Sequence, residues 1–426
     1  MLNEGDIGMK VQNLDQRRWL VLVSSCLANL CIGSLYAWSV FASPLAEKLG
    51  GGLTAADLGI VFTVANCVGP ITMISGGFIN DRLGPRWVIF AGGALFGAGM
   101  LLSGFAGSVT LLLVTYGLGC GLGNGLAYGC TISNSVKFFP DKRGLIGGIA
   151  TATFGLSSVL IPPVANALIQ TGGVSQAFVI LGVAFLVIVC VCAMFIIKCP
   201  EGYCPAGYVP QKSARGSGSA VQDKNWKGML SDPIFYLMIA MMLCGAFSGL
   251  MITSQASPMA QSITGMSVTA AAAAVSVLAL FNAAGRIVAG FLSDRFGRVT
   301  VLIGAFVLEL AGLAVLLTTG AGGELQFIAG VSVMGICFGS LMGVYPGFTA
   351  DKFGARYNSV NYGIMFIGFA TAGYFGPLAV RSVLGATGAY TGTFYIAGAL
   401  ACLGIILAFV YRGVTKKAGE KSKPSA

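Results

Sequence analysis

Arg286 stands inside a long apolar stretch of the sequence, where a charged side chain is unfavourable. An arginine near the centre of a membrane-spanning helix costs at least about 2.5–3.5 kcal/mol on insertion scales. Asn282 precedes it by four residues, so the two side chains share one face of a helix. A guanidinium binds a carboxylate through two parallel hydrogen bonds. The pair predicts an anion-binding arginine oriented by Asn282; the alternative is a structural arginine bonded to backbone carbonyls or to an internal partner.

Other chemistry is poorly supported by the sequence. The chain has no histidine, and most of its 12 cysteines lie within apolar runs, as Cys26 and Cys120 do. Such cysteines behave as small buried hydrophobic residues. The sequence shows no metal-ligand spacing, nucleophile elbow or phosphate-binding loop. We therefore expect no metal, no cofactor and no enzymatic activity.

The composition is that of a membrane protein. Hydrophobic residues make up 56% of the chain and charged residues only 9%, against roughly 25% charged in soluble domains. A spanning helix needs about 20 mostly apolar residues. This rule predicts an all-α membrane protein with twelve spans, at 19–43, 55–79, 87–107, 109–136, 144–170, 175–197, 233–258, 267–291, 299–319, 324–348, 357–382 and 389–411.

The positive charges define an orientation. With both termini in the cytoplasm, nearly all of the 25 Lys and Arg residues fall in cytoplasmic segments, and only Lys48 and Arg381 fall in the outer loops. This bias is the positive-inside pattern. It accounts for the formal charge of +10 without a nucleic-acid partner. We expect a multi-pass protein of a bacterial inner membrane, without a cleavable signal peptide.

The polar segments divide the chain into four parts. We predict an N-terminal six-helix bundle (1–198), a Gly- and Ser-rich cytoplasmic linker (199–231), a C-terminal six-helix bundle (232–412) and a basic cytoplasmic tail (413–426).

One loop sequence occurs twice, half the chain apart, each time after the second predicted helix of a half. The copies read GFINDRLGPR and GFLSDRFGR. This loop resembles the signature of the major facilitator superfamily. The resemblance implies two pseudosymmetric six-helix bundles with a substrate site at their interface. The motif residues are Gly77, Asp81, Arg82, Gly84 and Arg86 in the first copy, and Gly290, Asp294, Arg295, Gly297 and Arg298 in the second.

Three shorter segments resemble one branch of that superfamily, the oxalate/formate antiporters and the monocarboxylate transporters. They are VKFFPDKRGLI, FNAAGR and NYG, at 136–146, 281–286 and 361–363. The resemblance matches Arg286 to a substrate-binding arginine. It places Phe369 where the oxalate exchanger has a second cation, and Met342 where that protein has a tyrosine. It also matches the aromatic residues of that protein's pocket to Tyr128, Phe154, Phe338 and Phe366. Since a hydroxyl can bond a carboxylate, we expect Tyr128 and Tyr345 to contact the substrate, with Leu35, Phe154, Phe366 and Phe369 as apolar walls.

One remaining cation favours a monoanion, because oxalate would leave a second carboxylate unpaired. We therefore predict a secondary transporter of small monocarboxylates such as lactate or pyruvate, proton-coupled, working by alternating access as a monomer. The alternative is an anion exchanger of the oxalate/formate type. The monocarboxylate transporters carry an aspartate where this chain has Asn282, so the substrate carboxylate itself is one candidate proton carrier. Glu309 is the other deep charge; it is either a neutral peripheral carboxyl or a group that takes part in proton coupling.

Overall fold

The structure is a computed structural model that describes residues 4–55, 57–205, 208 and 223–421, without the side chains of 4–13 and 417–421. Every regular element in these residues is helical, which confirms the predicted all-α class. The α-helices are α1 (Glu4–Ile32), α2 (Trp38–Leu49), α3 (Gly59–Leu83), α4 (Pro85–Ser103), α5 (Val109–Leu112), α6 (Gly121–Phe138), α7 (Arg143–Phe195), α8 (Trp226–Leu230), α9 (Pro233–Thr264), α10 (Val268–Phe296), α11 (Arg298–Leu317), α12 (Glu324–Phe353), α13 (Asn358–Thr387) and α14 (Thr391–Lys421).

Two spans are assembled from more than one helical segment. A 3₁₀ turn, Gly33–Ala37, joins α1 to α2, and together they form the first span. A π-helical segment, Leu113–Cys120, joins α5 to α6. Both irregular segments contain glycine, and both keep the backbone hydrogen-bonded within the segment, as a lipid environment requires.

Helix α7 contains two predicted spans. It has 53 residues, which at about 1.5 Å per residue is more than twice the roughly 30 Å hydrocarbon core of a bilayer. Gly173 interrupts it with a φ of 79°, a conformation that glycine adopts readily. Eleven segments of the described chain are long and apolar enough to cross a membrane, and α7 is one of them. Since α7 accounts for the fifth and sixth predicted spans, the predicted set of spanning helices is present.

The C-terminal helix and the predicted linker differ from the expected elements in their helical content. Helix α14 continues to Lys421, into the predicted basic tail. About half of the predicted linker, 206–207 and 209–222, lies outside the described residues, as does 422–426. Within its described part, α8 is a short helix whose Asn225 side chain caps the N–H of Gly228.

The described chain groups into two compact units, each built from three segments. Unit 1 comprises 1–141, 153–208 and 356–364; unit 2 comprises 142–152, 209–355 and 365–426. The first residues of α7 thus belong to unit 2, and the first residues of α13 belong to unit 1. The predicted boundaries at 198 and 232 instead assign 142–152 to the N-terminal bundle and 356–364 to the C-terminal bundle. The predicted division into two six-helix bundles stays a prediction.

Helix α12 is the central helix of unit 2. Its apolar window is 78% buried, against 33% for α10 and 39% for α11. Glycines let α10 approach it closely: a Cβ added at Gly335 would lie 2.6 Å from the Leu278 carbonyl oxygen, and one at Gly339 would lie 2.0 Å from that of Asn282. Small residues allow such backbone contact between membrane helices. This packing fixes the face of α10 that carries Asn282 and Arg286.

Candidate functional site

Arg286 lies on α10 within unit 2 and is only 8% exposed. Its Nε donates to Asn282 Oδ1 at 2.9 Å, and its Nη1 donates to the backbone carbonyl of Thr151 at 2.7 Å. Thr151 belongs to the part of α7 that packs within unit 2. Both acceptors are neutral. The geometry thus combines features of both predictions for Arg286, namely orientation by Asn282 and a hydrogen bond to a backbone carbonyl.

The charge of Arg286 has no counter-ion in the part of the chain that the structure describes. None of the described residues accepts a hydrogen bond from its Nη2. A guanidinium has five N–H donors, and two atoms of the fork can engage one carboxylate together. An anion that reached Nη2 would therefore supply both the missing charge and the missing acceptors.

Glycines on two helices pack against the backbone at Arg286. A Cβ added at Gly148 of α7 would lie 2.3 Å from the Arg286 carbonyl oxygen, and one at Gly343 of α12 would lie 2.2 Å from it. Gly144 and Gly148 are four residues apart, and so are Gly339 and Gly343. The sequence analysis did not identify these residues, although a spacing of four between glycines in apolar helices signals close packing.

Three aromatic rings of unit 2 form a stack. The ring centroids of Phe366 and Phe369 are 4.5 Å apart at an interplanar angle of 28°. Phe338 lies parallel to Phe369, with centroids 6.2 Å apart. Phe338 directly precedes Gly339, the glycine that packs on Asn282. The stack provides an apolar surface of the kind that the predicted walls at Phe366 and Phe369 require.

Tyr345 is placed differently from the expectation of an available hydroxyl. It is fully buried, and its hydroxyl donates to the Met238 carbonyl of α9 at 2.7 Å. Its ring packs edge-on against Phe348. We therefore leave Tyr345 out of the proposed binding residues. The sequence shows that a tyrosine is present but not which way the helix turns it.

The remaining predicted pocket residues lie in unit 1. Tyr128 and Phe154 pack with their ring centroids 4.5 Å apart, and Tyr36 packs edge-on against Phe154 at 5.6 Å. Leu35 is buried, and its carbonyl accepts a hydrogen bond of 3.2 Å from the Tyr116 hydroxyl. Unit 1 thus brings Tyr128 and Phe154 together with Tyr36, which the sequence analysis did not single out.

The repeated loop places one carboxylate at the start of a helix in each unit. In unit 1, Asp81 accepts the Val360 N–H of α13 at 3.2 Å and pairs with Lys137 at 2.7 Å. In unit 2, Asp294 accepts the N–H groups of Gly144 and Leu145 of α7, both at 2.8 Å. A negative charge at a helix N-terminus contributes about 0.3–1 kcal/mol.

The other residues of the loop have distinct structural roles. Gly84 and Gly297 turn the chain between two helices, with φ of 96° and 89°. Gly77 and Gly290 instead allow close contact: added Cβ atoms would lie 2.9 Å from Ser359 O and 2.3 Å from Gly144 O. Among the arginines, Arg82 and Arg295 are exposed, Arg86 is half-buried, and Arg298 pairs with Asp294 and Asp351.

Comparison with known proteins defines the class. The family profile of the Major Facilitator Superfamily matches residues 19–286 and, in a second match, 242–426. The chain belongs to this superfamily of membrane transporters. The predictions of a transporter rather than an enzyme, and of the family and branch that the sequence resembles, are confirmed.

Individual relatives agree with this assignment. The chain is 30% identical over 362 residues to the oxalate:formate antiporter of Oxalobacter formigenes, covering 84% of this chain and 83% of that protein. It is 26% identical over 362 residues to monocarboxylate transporter 12-B of Danio rerio, covering 79% and 75%. The solved structure of the proton:xylose symporter XylE has the same fold, with a TM-score of 0.70 at 15% identity over 92% of this chain and 95% of that one.

Proposed function

We propose that this transporter carries small monocarboxylates of the lactate and pyruvate type across a bacterial inner membrane. The proposal rests on Arg286, a buried cation bonded only to neutral acceptors among the described residues. A desolvated charge of this kind is stabilised when a carboxylate binds, since the ion pair and its hydrogen bonds replace the lost hydration. Asn282 fixes the fork, and the Phe338, Phe366 and Phe369 stack offers an apolar surface to a short carbon chain.

The charge count supports a monoanion. Arg286 is the only buried Lys or Arg among residues whose side chains the structure describes. One guanidinium neutralises one carboxylate, whereas a second carboxylate of a bound dianion would be left without a cation in apolar surroundings. Phe369, which packs between Phe338 and Phe366, is the position of the second cation in the oxalate-exchanger pattern. We propose proton symport by alternating access, in a monomer with both termini in the cytoplasm.

The second candidate is a carboxylate exchanger of the oxalate/formate type. Its support is the 30% identity to the oxalate:formate antiporter. Counterflow separates the two modes: an exchanger takes up labelled substrate only when unlabelled substrate is present inside the vesicle, and a symporter also works into empty vesicles.

The test is uptake of labelled lactate, pyruvate, formate and oxalate into proteoliposomes. Arg286→Ala is expected to reduce uptake by about 100-fold or more, and Arg286→Lys by about tenfold, because an ammonium lacks the planar fork. Arg381→Ala, which removes an exposed arginine from α13, is the matched control and should transport like the wild type. Saturable lactate uptake by Arg286→Ala at the wild-type level contradicts the proposal, as does a wild-type preference for oxalate.

A further inference from the structure

Glu309 is a buried acid to which the proposed substrate site assigns no role. It is 2% exposed, and it and Arg286 are the only buried members of the Lys, Arg, Asp and Glu group among residues with described side chains. In α11 (Arg298–Leu317) it lies about 16 Å from the first residue and about 12 Å from the last, at 1.5 Å per residue. It therefore occupies the middle of its span. An ionisable residue there is a candidate functional group.

The partner of Glu309 is a hydroxyl that suits both protonation states. Ser248 of α9 donates to Glu309 Oε1. The same hydroxyl also lies within reach of two backbone carbonyls, Cys244 at 3.2 Å and Gly245 at 3.3 Å. A hydroxyl has one proton and two lone pairs. It can donate to an ionised carboxylate, or turn its proton to a carbonyl and accept the proton of the neutral acid.

Among the described residues, none provides a fixed charge to Glu309. Two thiols, Cys244 of α9 and Cys337 of α12, lie close enough to Glu309 to interact with it electrostatically. Phe306 of α11 and Ala401 of α14 form an apolar cluster with Cys244. Among the described residues of α9, α10, α12 and α14, none forms an ion pair with Glu309. An uncompensated carboxylate is unfavourable in apolar surroundings, so a change in those surroundings would change the affinity of Glu309 for a proton.

Helix α12 links this acid to the arginine. Cys337 interacts with Glu309, Phe338 packs on Gly249 next to Ser248, and Gly339 packs on the backbone of Asn282. These three residues of α12 are consecutive. A shift of α12 that alters the packing on Asn282 and Arg286 therefore also alters the surroundings of Glu309.

We propose that Glu309 and Ser248 form a reversible proton-binding site that carries the coupled proton while Arg286 holds the substrate carboxylate. This inference rests on the proposed proton symport. It assigns the proton to a group of the protein rather than to the substrate. No covalent bond changes other than the O–H bond of the Glu309 carboxyl, which forms when a proton enters from one side and breaks when it leaves to the other.

The test compares two activities in proteoliposomes. Glu309→Gln keeps the shape of the side chain but cannot release a proton. It is expected to reduce lactate accumulation driven by a pH gradient by about tenfold or more, while lactate exchange at equal pH falls by less than about threefold. Glu309→Asp, which keeps the acid, should retain accumulation. Accumulation by Glu309→Gln at the wild-type level overturns the inference and leaves proton symport intact.

A second variant addresses Ser248 without removing the acid. Ser248→Ala deprives the carboxylate of its donor, so the pH at which accumulation is half-maximal should rise by about one unit. Ser332→Ala on α12 removes another buried hydroxyl, bonded to the Ile328 carbonyl, and should leave that pH unchanged. An unchanged half-maximal pH in Ser248→Ala overturns the inference. A wild type that exchanges lactate but never accumulates it along a pH gradient instead overturns proton symport, and the carrying role of Glu309 with it.

Discussion

At the residue scale, the side chain beside Arg286 is the neutral amide of Asn282 rather than an acid, and this bears on how the cation can be used. Asn282 offers its carbonyl oxygen to Nε at 2.9 Å without neutralising the charge. A carboxylate in that place would form an ion pair with the guanidinium, and a substrate anion would have to compete with it. The amide thus orients the arginine without neutralising its charge, which under the proposed function remains for the substrate.

Replacing the amide by the acid tests this role directly. Asn282→Asp should raise the KM for lactate exchange at pH 7 by about tenfold, equivalent to about 1.4 kcal/mol of binding free energy. Lowering the pH equally on both sides of the membrane should protonate the new acid and bring the KM back towards that of the wild type. Asn282→Ala, which removes the oxygen without adding a charge, should raise the KM with no comparable recovery at low pH. A pH-independent KM in Asn282→Asp would contradict the role of the amide.

At the element scale, α10 is held between backbones rather than between side chains. Gly148 of α7 and Gly343 of α12 both contact the backbone carbonyl of Arg286. The backbone carbonyl of Thr151, three residues after Gly148, accepts the hydrogen bond from Nη1 of Arg286. A helix fixed in this way presents Asn282 and Arg286 in one orientation. The small residues therefore contribute to the geometry of the arginine as well as to stability.

We expect Gly148→Ala to destabilise the protein by about 1–3 kcal/mol, because the added Cβ would meet the Arg286 carbonyl oxygen at 2.3 Å. The same displacement should lengthen the bond between Nη1 and Thr151 and lower the rate of lactate uptake. Gly304→Ala on α11 is the control, since a Cβ there meets nothing within 4 Å and alanine favours the helix by roughly 0.5–1 kcal/mol. Thermal unfolding in detergent measures the stability of both variants. Equal stability of Gly148→Ala and Gly304→Ala would contradict the expected clash between α7 and α10.

The spanning helices follow from the sequence because lipid leaves the backbone few alternatives. Hydropathy located every span, although several helices extend beyond the predicted ends, as α14 does to Lys421. The break predicted between 170 and 175 is the one at Gly173. Rotation about the helix axis is a different matter, because packing against neighbours determines it. This is why the hydroxyl of Tyr345, expected in the pocket, instead bonds the Met238 carbonyl. The partner of Arg286, Thr151, could not be predicted either, since it contributes only a backbone carbonyl.

At the scale of the whole molecule, the sequence repeat is matched by a repeat of contacts. Unit 1 contains the first copy of the loop and, from the second half of the chain, residues 356–364 at the start of α13. Unit 2 contains the second copy and, from the first half, residues 142–152 at the start of α7. Asp81 and Asp294 accept backbone N–H groups from those two segments. The buried ionisable residues among the described side chains do not repeat: Arg286 and Glu309 both belong to unit 2. The symmetric contacts suit a shared structural role, and the asymmetric ionisable residues suit a specific one.

The orientation of the chain in the membrane is the last prediction, and it follows from the distribution of Lys and Arg. If the positive-inside pattern governs insertion, the loop between α4 and α5 lies outside and the segment before α8 lies inside. In a variant without native cysteines, a cysteine at Gly107 should react with a membrane-impermeant maleimide added to intact cells, whereas one at Arg215 should react only after the cells are opened. Gly107 suits the label because an added Cβ meets nothing within 4 Å there. Labelling of Arg215→Cys in intact cells would contradict the predicted orientation.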